Sequence, residues 1–447
     1  MTEIGETPSM IVASATSINP SLTVIPKIGR EYYIASVGDD SNAGNEEAPF
    51  ETFKKAVAVL EPGDTLIIRG GIYYEMLVVE VSGEIGKPII VKSHPGEEVV
   101  IDMQGDDIPG VMLLGDYLSF ADVTVRGSGR ECVTAKGNYQ WIWGLTITEC
   151  FSSGIQLIGR HIEFFGNKVF GTVLRNEHGN GGSWNSAVKV LVGGQDLVIR
   201  ENEIYENWGE GIAVTRGVRV VVQRNTVYDN WASNIYVDNS LDIQVTQNFS
   251  YCTENAPLAN DGYPANAFSI GEEEYEGWGA RLARVTIMNN IGAFCKRGIG
   301  IWSAEVSGGG LDTIIIVHNT FWGSRMHGIG IYVNDTPVKA QNTLIANNIF
   351  QQEENRHGYI EDIRGINIDN NFWVGTPPRE HLRISGPNDS WGDVGMVEQP
   401  GYTPDSFILA QNSNAIGIGV PLAYVEGDFF GNDRGILRDM GAIQYQS

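Results

Sequence analysis

The chain has 447 residues, 55 of them glycine and only 19% charged, which argues against both a disordered chain and a helical bundle. Its formal net charge of −25 argues against a nucleic-acid binder, which needs a basic stripe, and an anionic polymer would need a local cation patch or a bound cation to bind. No apolar run is long enough to cross a membrane, and Cys132, Cys150, Cys252 and Cys295 lack metal-ligand spacing.

Residues 1–30 lack the basic start and apolar core of a signal peptide and read as a polar leader. Residues 49–61 (PFETFKKAVAVLE) place Phe50, Phe53, Val57 and Leu60 on one helical side, and Pro62-Gly63-Asp64 ends the run. This segment is expected to be a helix capping the N-terminal end of the body.

The body then repeats. Asn202, Asn225 and Asn248 are spaced 23 and 23 residues apart, each opening a similar segment (NEIYENWGEGIAV, NTVYDNWASNIYV, NFSYCTEN). Asn167 precedes them, and Asn290, Asn319 and Asn348 follow at spacings of 42, 29 and 29, as the same coil carrying insertions. Runs such as VRVVVQR (218–224), LDIQVTQ (241–247) and TIIIVHN (313–319) alternate with the period of a strand. A coil this short cannot contain a helix. Stacked coils let each strand pair above and below at about 4.8 Å and bring equivalent asparagines into one hydrogen-bonded column.

The sequence therefore predicts an all-β fold, a single-stranded right-handed parallel β-helix over residues 31–375 with an N-terminal capping helix. Residues 376–447, where the repeat lapses, are expected to form an irregular segment on the last coils. Cys252 lies four residues past Asn248 and Cys295 five past Asn290, which puts them on neighbouring coils, with a disulfide open to them if their Cα atoms approach within about 7 Å.

The opening stretch SVGDDSNAGNEEAPFETFKKAVAVLEPGDTLIIRGGIYYE (36–75) resembles that of bacterial secreted right-handed parallel β-helix proteins of the pectate-lyase-like superfamily. Ser36, Gly38, Asp40, Asn42, Gly44, Pro49, Phe50, Thr52, Pro62, Gly63, Asp64, Arg69, Gly70, Gly71 and Tyr73 carry the likeness. The closing segments 407–419 and 428–445 are similar to the family's end, and the middle resembles its carbohydrate-binding and sugar-hydrolysis repeats. The resemblance implies a secreted or cell-surface protein whose partner is a polysaccharide or oligosaccharide. It leaves the activity open, because the superfamily holds lyases, glycoside hydrolases, epimerases and non-catalytic surface proteins.

Aligning SAVKVL (186–191), GIAVTR (211–216), NIYVDN (234–239), AFSIGE (267–272), GIGIWS (298–303) and GIGIYV (328–333) sorts the faces. Val188, Ile212, Ile235, Phe268, Ile299 and Ile329 point inward. Outward stack Lys189, Ala213, Tyr236, Ser269, Gly300 and Gly330, and two residues later Leu191, Thr215, Asp238, Gly271, Trp302 and Tyr332. Insertions at 171–185, 251–266, 271–281 and 302–311 flank this ladder and would wall a groove.

Three chemistries fit such a floor. A lyase cleaving a uronic-acid polymer by β-elimination needs a base, for which Lys189 and Tyr236 are candidates, with Tyr236 preferred. It also needs a cation to neutralise the uronate, for which Asp238, Glu272 and Glu273 are candidate Ca²⁺ ligands. A glycoside hydrolase needs two carboxylates, Asp238 with Glu272 or Glu210. A non-catalytic glycan-binding protein needs neither. Trp278, Trp302 and Tyr332 are candidate sugar-stacking rings. Arg216, Arg297, His178 and His327 are further candidates for substrate contact, and no organic cofactor is expected. Trp208 and Trp231, in their repeated Asn-Trp pairs, read as structural.

Overall fold

A computed structural model describes residues 29–446, apart from 180–183, 255–257, 261, 274–281, 304–309, 334–339, 353–357, 361–363 and 376–383. The chain winds as a right-handed parallel β-helix. Each coil contributes one short strand to each of three parallel sheets of 13, 13 and 11 strands. The first sheet opens with Glu31–Ile34, the second with Gly71–Tyr73 and the third with Leu77–Val79. Most of the polar leader expected at 1–30 lies outside the described residues.

Period-two alternation explains the cross-section. The inward row Val188, Ile212, Ile235, Phe268, Ile299 and Ile329 is at most 1% exposed and joins one continuous apolar core running the length of the solenoid. At the corner between the first and second sheets the asparagines form a column. The Asn202 backbone N–H and Nδ2 both donate to Asn225 Oδ1 (3.1 and 2.9 Å), and those of Asn225 donate to Asn248 Oδ1 (3.0 and 3.0 Å). The column starts at Asn167 and continues through Asn290, Asn319 and Asn348 to Asn371, whose N–H donates to Asp389. A shorter column of Asn207, Asn230 and Asn234 serves the corner before the third sheet.

The expected helix at 49–61 is a shorter one, Phe53–Val57. Phe50 instead bridges to Ile34 as extended chain, and Pro62-Gly63 turns back into the strand Thr65–Ile68. Thr52 caps its start, accepting from the Lys55 N–H at 3.1 Å, and the Glu75 carboxylate accepts from the Phe53 N–H at 2.9 Å. The motif residues of the opening stretch are mostly such fasteners. Asp40 accepts from the Thr52 N–H and hydroxyl, and Asp64 from the Arg30 and Glu61 N–H groups.

Two disulfides cross-link successive coils at the corner leading into the third sheet. Cys252 and Cys295 are bonded, with Cα atoms 4.9 Å apart. Cys132 and Cys150, for which the sequence suggested nothing, are bonded too, at 5.5 Å. Past the last strand, Ser390–Gly392, the described chain to 446 runs back along the outside of the coils. There Phe407, Ala442 and Ile443 cover the outward Phe249 and Ile291, and Leu409 and Met440 cover Ile349 and Phe372. Buried Arg434 ties this segment down, donating to Asn289 and to the Gly427, Gly441 and Ala442 carbonyls.

Candidate functional site

The third sheet floors a groove of about 640 Å³. Its strands Ser186–Val190, Glu210–Thr215, Ser233–Asp238, Asn266–Glu272 and Arg297–Ser303 pair in parallel with the register expected. Lys189 lies opposite Ala213, Ala213 opposite Tyr236, and Tyr236 opposite Ser269. Thr215, Asp238, Gly271 and Trp302 form the parallel outward row. A third lining row stands at the strand starts, with Ser186 opposite Glu210 and Ser233 opposite Asn266.

Lys189, Glu210, Arg216, Tyr236, Asp238, Glu273, Arg297 and Trp302 all line the groove. Burial lowers the Lys189 amine below the usual lysine range. Glu210 and Asp238 pull it back up, and Arg216 pushes it further down. Its Nζ donates to Asn185 Oδ1 at 2.8 Å. Burial pushes the Glu210 carboxyl upward, opposed by a 2.8 Å hydrogen bond from the Ser186 hydroxyl and by Lys189, and helped by Glu273.

Tyr236 and Trp302 meet at a ring separation of 5.2 Å over Gly271, where a Cβ would lie 2.3 Å from the Tyr236 oxygen and 2.6 Å from the indole nitrogen. The Tyr236 hydroxyl donates to Glu273 Oε1 at 2.6 Å, and the Trp302 Nε1–H donates to the same oxygen at 3.4 Å. Asn239 holds Glu273 in place, its side chain accepting from the Glu273 N–H and donating to the Glu273 carbonyl.

Other expected residues fall elsewhere. Glu272 is not beside Asp238. It is one step past outward Gly271, so the alternation carries it inside, where it is fully buried and does not line the groove. His178 is exposed on the far part of its loop, edge-on to Trp208 at 5.2 Å, and is not a lining residue. Tyr332 lies one coil beyond, where it accepts from Arg297 Nε at 2.7 Å and carries the guanidinium 4.8 Å above its ring. Trp278 lies outside the described residues.

The Ca²⁺ set does not fit. With Glu272 inside and Glu273 Oε1 taken by Tyr236 and Trp302, Asp238, Glu272 and Glu273 do not converge, and the described residues hold no group of three or more His, Cys, Asp or Glu able to bind a metal. The lining also includes residues without a repeat signal: Trp184 (61% exposed), Asn260, Pro264 and Lys296. Trp231, read as structural, is a wall residue as well, edge-on to Trp184 at 5.1 Å.

Comparison with known proteins agrees with this architecture. Residues 32–180 match the family model "Pel9A-like, right handed beta helix region", and residues 110–272 match "Right handed beta helix region". The chain is a right-handed parallel β-helix protein, similar over part of its length to pectate-lyase-like members of that fold. This β-helix protein is 31% identical to pectate lyase PEL9 of Emericella nidulans over 85 residues, 19% of this chain and 20% of that enzyme. The alignment thus spans about a fifth of that relative's length. Among solved structures, XylC in complex with xylose superposes at a TM-score of 0.65 and 12% identity, over 93% of this chain and 98% of that one. Pectate lyase Pel9A superposes at 0.58 and 15% identity, over 94% and 97%. At those identities the likeness is one of fold.

Proposed function

We propose that this β-helix protein is carbohydrate-active and that its groove is the active site of a polysaccharide lyase cleaving a uronic-acid polymer by β-elimination. The observation that carries the reading is Lys189, an amine lowered by burial on the floor of a groove that also presents Arg216, Lys296 and Arg297. Those cations meet the uronate carboxylate and stabilise the charge that develops when its α-proton leaves. Neutral Lys189 takes that proton. The C–H electron pair forms the new C=C bond, the glycosidic C–O bond breaks, and the departing sugar oxygen takes a proton from Glu210, whose carboxyl burial raises above the usual carboxylate range. Lysine then returns its proton to Glu210, and both groups are reset.

This assignment prefers Lys189 to Tyr236 as the base, because the Tyr236 hydroxyl is already committed to Glu273. The stretch of identity to a pectate lyase supports a uronate substrate, and the two disulfides support a secreted or surface location in an oxidising compartment.

One observation favours a second reading, an inverting or retaining glycoside hydrolase. Burial raises the Glu210 carboxyl above the usual carboxylate range, and it senses the firmly positioned Glu273 carboxylate, so a candidate acid and a candidate base face one groove. Asp238 serves that role less well, since Glu273 and not Asp238 is among the charges that bear on Glu210.

The test is a panel of polyuronates and neutral glycans, with and without chelator, read both for unsaturated ends by ultraviolet absorbance and for new reducing ends. Unsaturated ends that fall at least about 10²-fold in Lys189→Met support the lyase. Reducing ends without unsaturation, lost in Glu210→Gln, would replace it with the hydrolase.

A further inference from the structure

We propose that Asn185 is a positioning residue that aims the Lys189 amine into the groove, its side-chain amide held in place by Ser152 and Ser153 of the preceding coil. The inference rests on reading Lys189 as the base. Asn185 Oδ1 accepts from Lys189 Nζ at 2.8 Å and from the Ser153 hydroxyl at 3.0 Å, while Asn185 Nδ2 donates to the Ser152 hydroxyl at 2.7 Å. Each hydroxyl can donate or accept, so the serines hold the amide in place, and the Lys189 N–H selects Oδ1 as the end that faces it. The backbone is fixed as well. The Asn185 carbonyl accepts from the Glu210 N–H at 2.9 Å, and a Cβ on Gly209 would sit 2.0 Å from that carbonyl oxygen, so glycine is required for the approach. Asn185 thus bridges two successive coils at the edge of the floor.

The choice of an amide over a carboxylate matters chemically. A neutral acceptor takes one N–H of the amine, favours the ammonium far less than a carboxylate would, and leaves the nitrogen lone pair free to point elsewhere. The charged groups facing Lys189 from the packed elements are Glu210 on the next strand, Arg216 in the turn beyond it and Asp238 one coil further. They oppose one another, and the contact within hydrogen-bond distance is the uncharged one. Aspartate in place of Asn185 would put a carboxylate in that contact and hold the proton on the lysine.

Two readouts on the full chain test this. The first needs no substrate: the pH dependence of Lys189 acylation by a small anhydride, quantified by peptide mass spectrometry. Asn185→Asp should move the Lys189 midpoint upward by roughly 1–3 pH units, the usual effect of an adjacent opposite charge, while Asn185→Ala should move it much less. The second is the pH–rate profile on whichever polyuronate the parent cleaves. Asn185→Asp should shift the ascending limb upward by the same amount and recover rate at high pH. Asn185→Ala should lower kcat by about 10-fold or more with KM and limb unchanged. A residue that only braces the coil would lower thermal stability in both variants and leave both midpoints in place. An Asn185→Asp acylation midpoint that superimposes on the parent's overturns the proposal. If the parent cleaves no polyuronate, the lyase reading fails while the acylation midpoints still decide the role of Asn185.

Discussion

Substituting Asn225→Ala should be among the most damaging single changes in the solenoid, and its cost follows from the column. The side chain accepts two hydrogen bonds, from the Asn202 N–H and Nδ2, and donates to the Ile199 and Gln223 carbonyls and to Asn248 Oδ1. Asn202 Nδ2 keeps a second partner in the Phe164 carbonyl at 3.0 Å, but the buried Asn202 backbone N–H loses its acceptor. One orphaned buried donor costs about 1–3 kcal/mol, and the remaining bonds are each worth about 0.5–1.5 kcal/mol net, so a destabilisation of about 4 kcal/mol is expected. Urea unfolding followed by circular dichroism should show it as a lower midpoint at unchanged slope. Hydrogen exchange adds a local check: the Asn202 amide should lose protection by about tenfold for each 1.4 kcal/mol. The exposed Asn414→Ala, whose Nδ2 bonds only the Asp393 carbonyl among the described residues, should stay within about 0.5 kcal/mol of the parent. A cost for Asn225→Ala below about 1 kcal/mol, with Asn202 still protected, would refute the claim that the column carries the corner.

Glu210→Gln should change how stability depends on pH. Burial raises the folded-state value, so the folded chain holds a proton the unfolded chain has released. That contribution is complete below the ordinary carboxyl value of 4.5 and is lost as pH rises through the folded one, so melts across this window should slope down in the parent and lie flatter in the variant. Gly271→Ala should displace Tyr236 and Trp302, since its methyl would fall 2.3 Å from the phenol oxygen, and the changed indole environment should be visible in tryptophan fluorescence; an unaltered spectrum would count against the packing described. Reducing both disulfides should destabilise the chain by about 3 kcal/mol for the 18-residue loop and about 4 kcal/mol for the 43-residue loop, measured by thermal melts with and without reductant. Trp184→Ala should raise KM several-fold and leave kcat near the parent's, because the indole is 61% exposed at the groove wall and remote from Lys189 in role; a fall in kcat alone would contradict a binding function.

Much of this was legible because a solenoid writes its geometry as spacing. The repeat aligned Lys189 with Ala213 across 24 residues and Ala213 with Tyr236 across 23, since each coil repeats the same strand and the side-chain period is two. The same rule misplaced Glu272 when it was applied one residue too far: Gly271 is the outward position, Glu272 falls inside, and Glu273 beyond it returns to the groove. The Cys132–Cys150 bond was hidden because the early coils lack the asparagine marker that put Cys252 beside Cys295. Asn185 and Trp184 belong to a loop with no period, and only tertiary contacts across 30 or so residues of sequence bring Asn185 to Ser152, a separation of 33. The path of the C-terminal segment is set by apolar residues on the outer faces, Phe249, Ile291, Ile349 and Phe372, whose exposure by alternation leaves a strip that something must cover.

The asparagine column is indifferent to how much chain separates its members. Asn225 reaches Asn248 across 23 residues and Asn248 reaches Asn290 across 42, yet the two amide bonds are both 3.0 Å. The extra residues leave the coil on either side of the third sheet and return without altering its pitch. Wall and floor are therefore separate variables. Loop length and composition can drift to suit a different polymer while the coil beneath stays closed, and a change in specificity need not disturb folding. Such a molecule is a chassis with interchangeable bodywork.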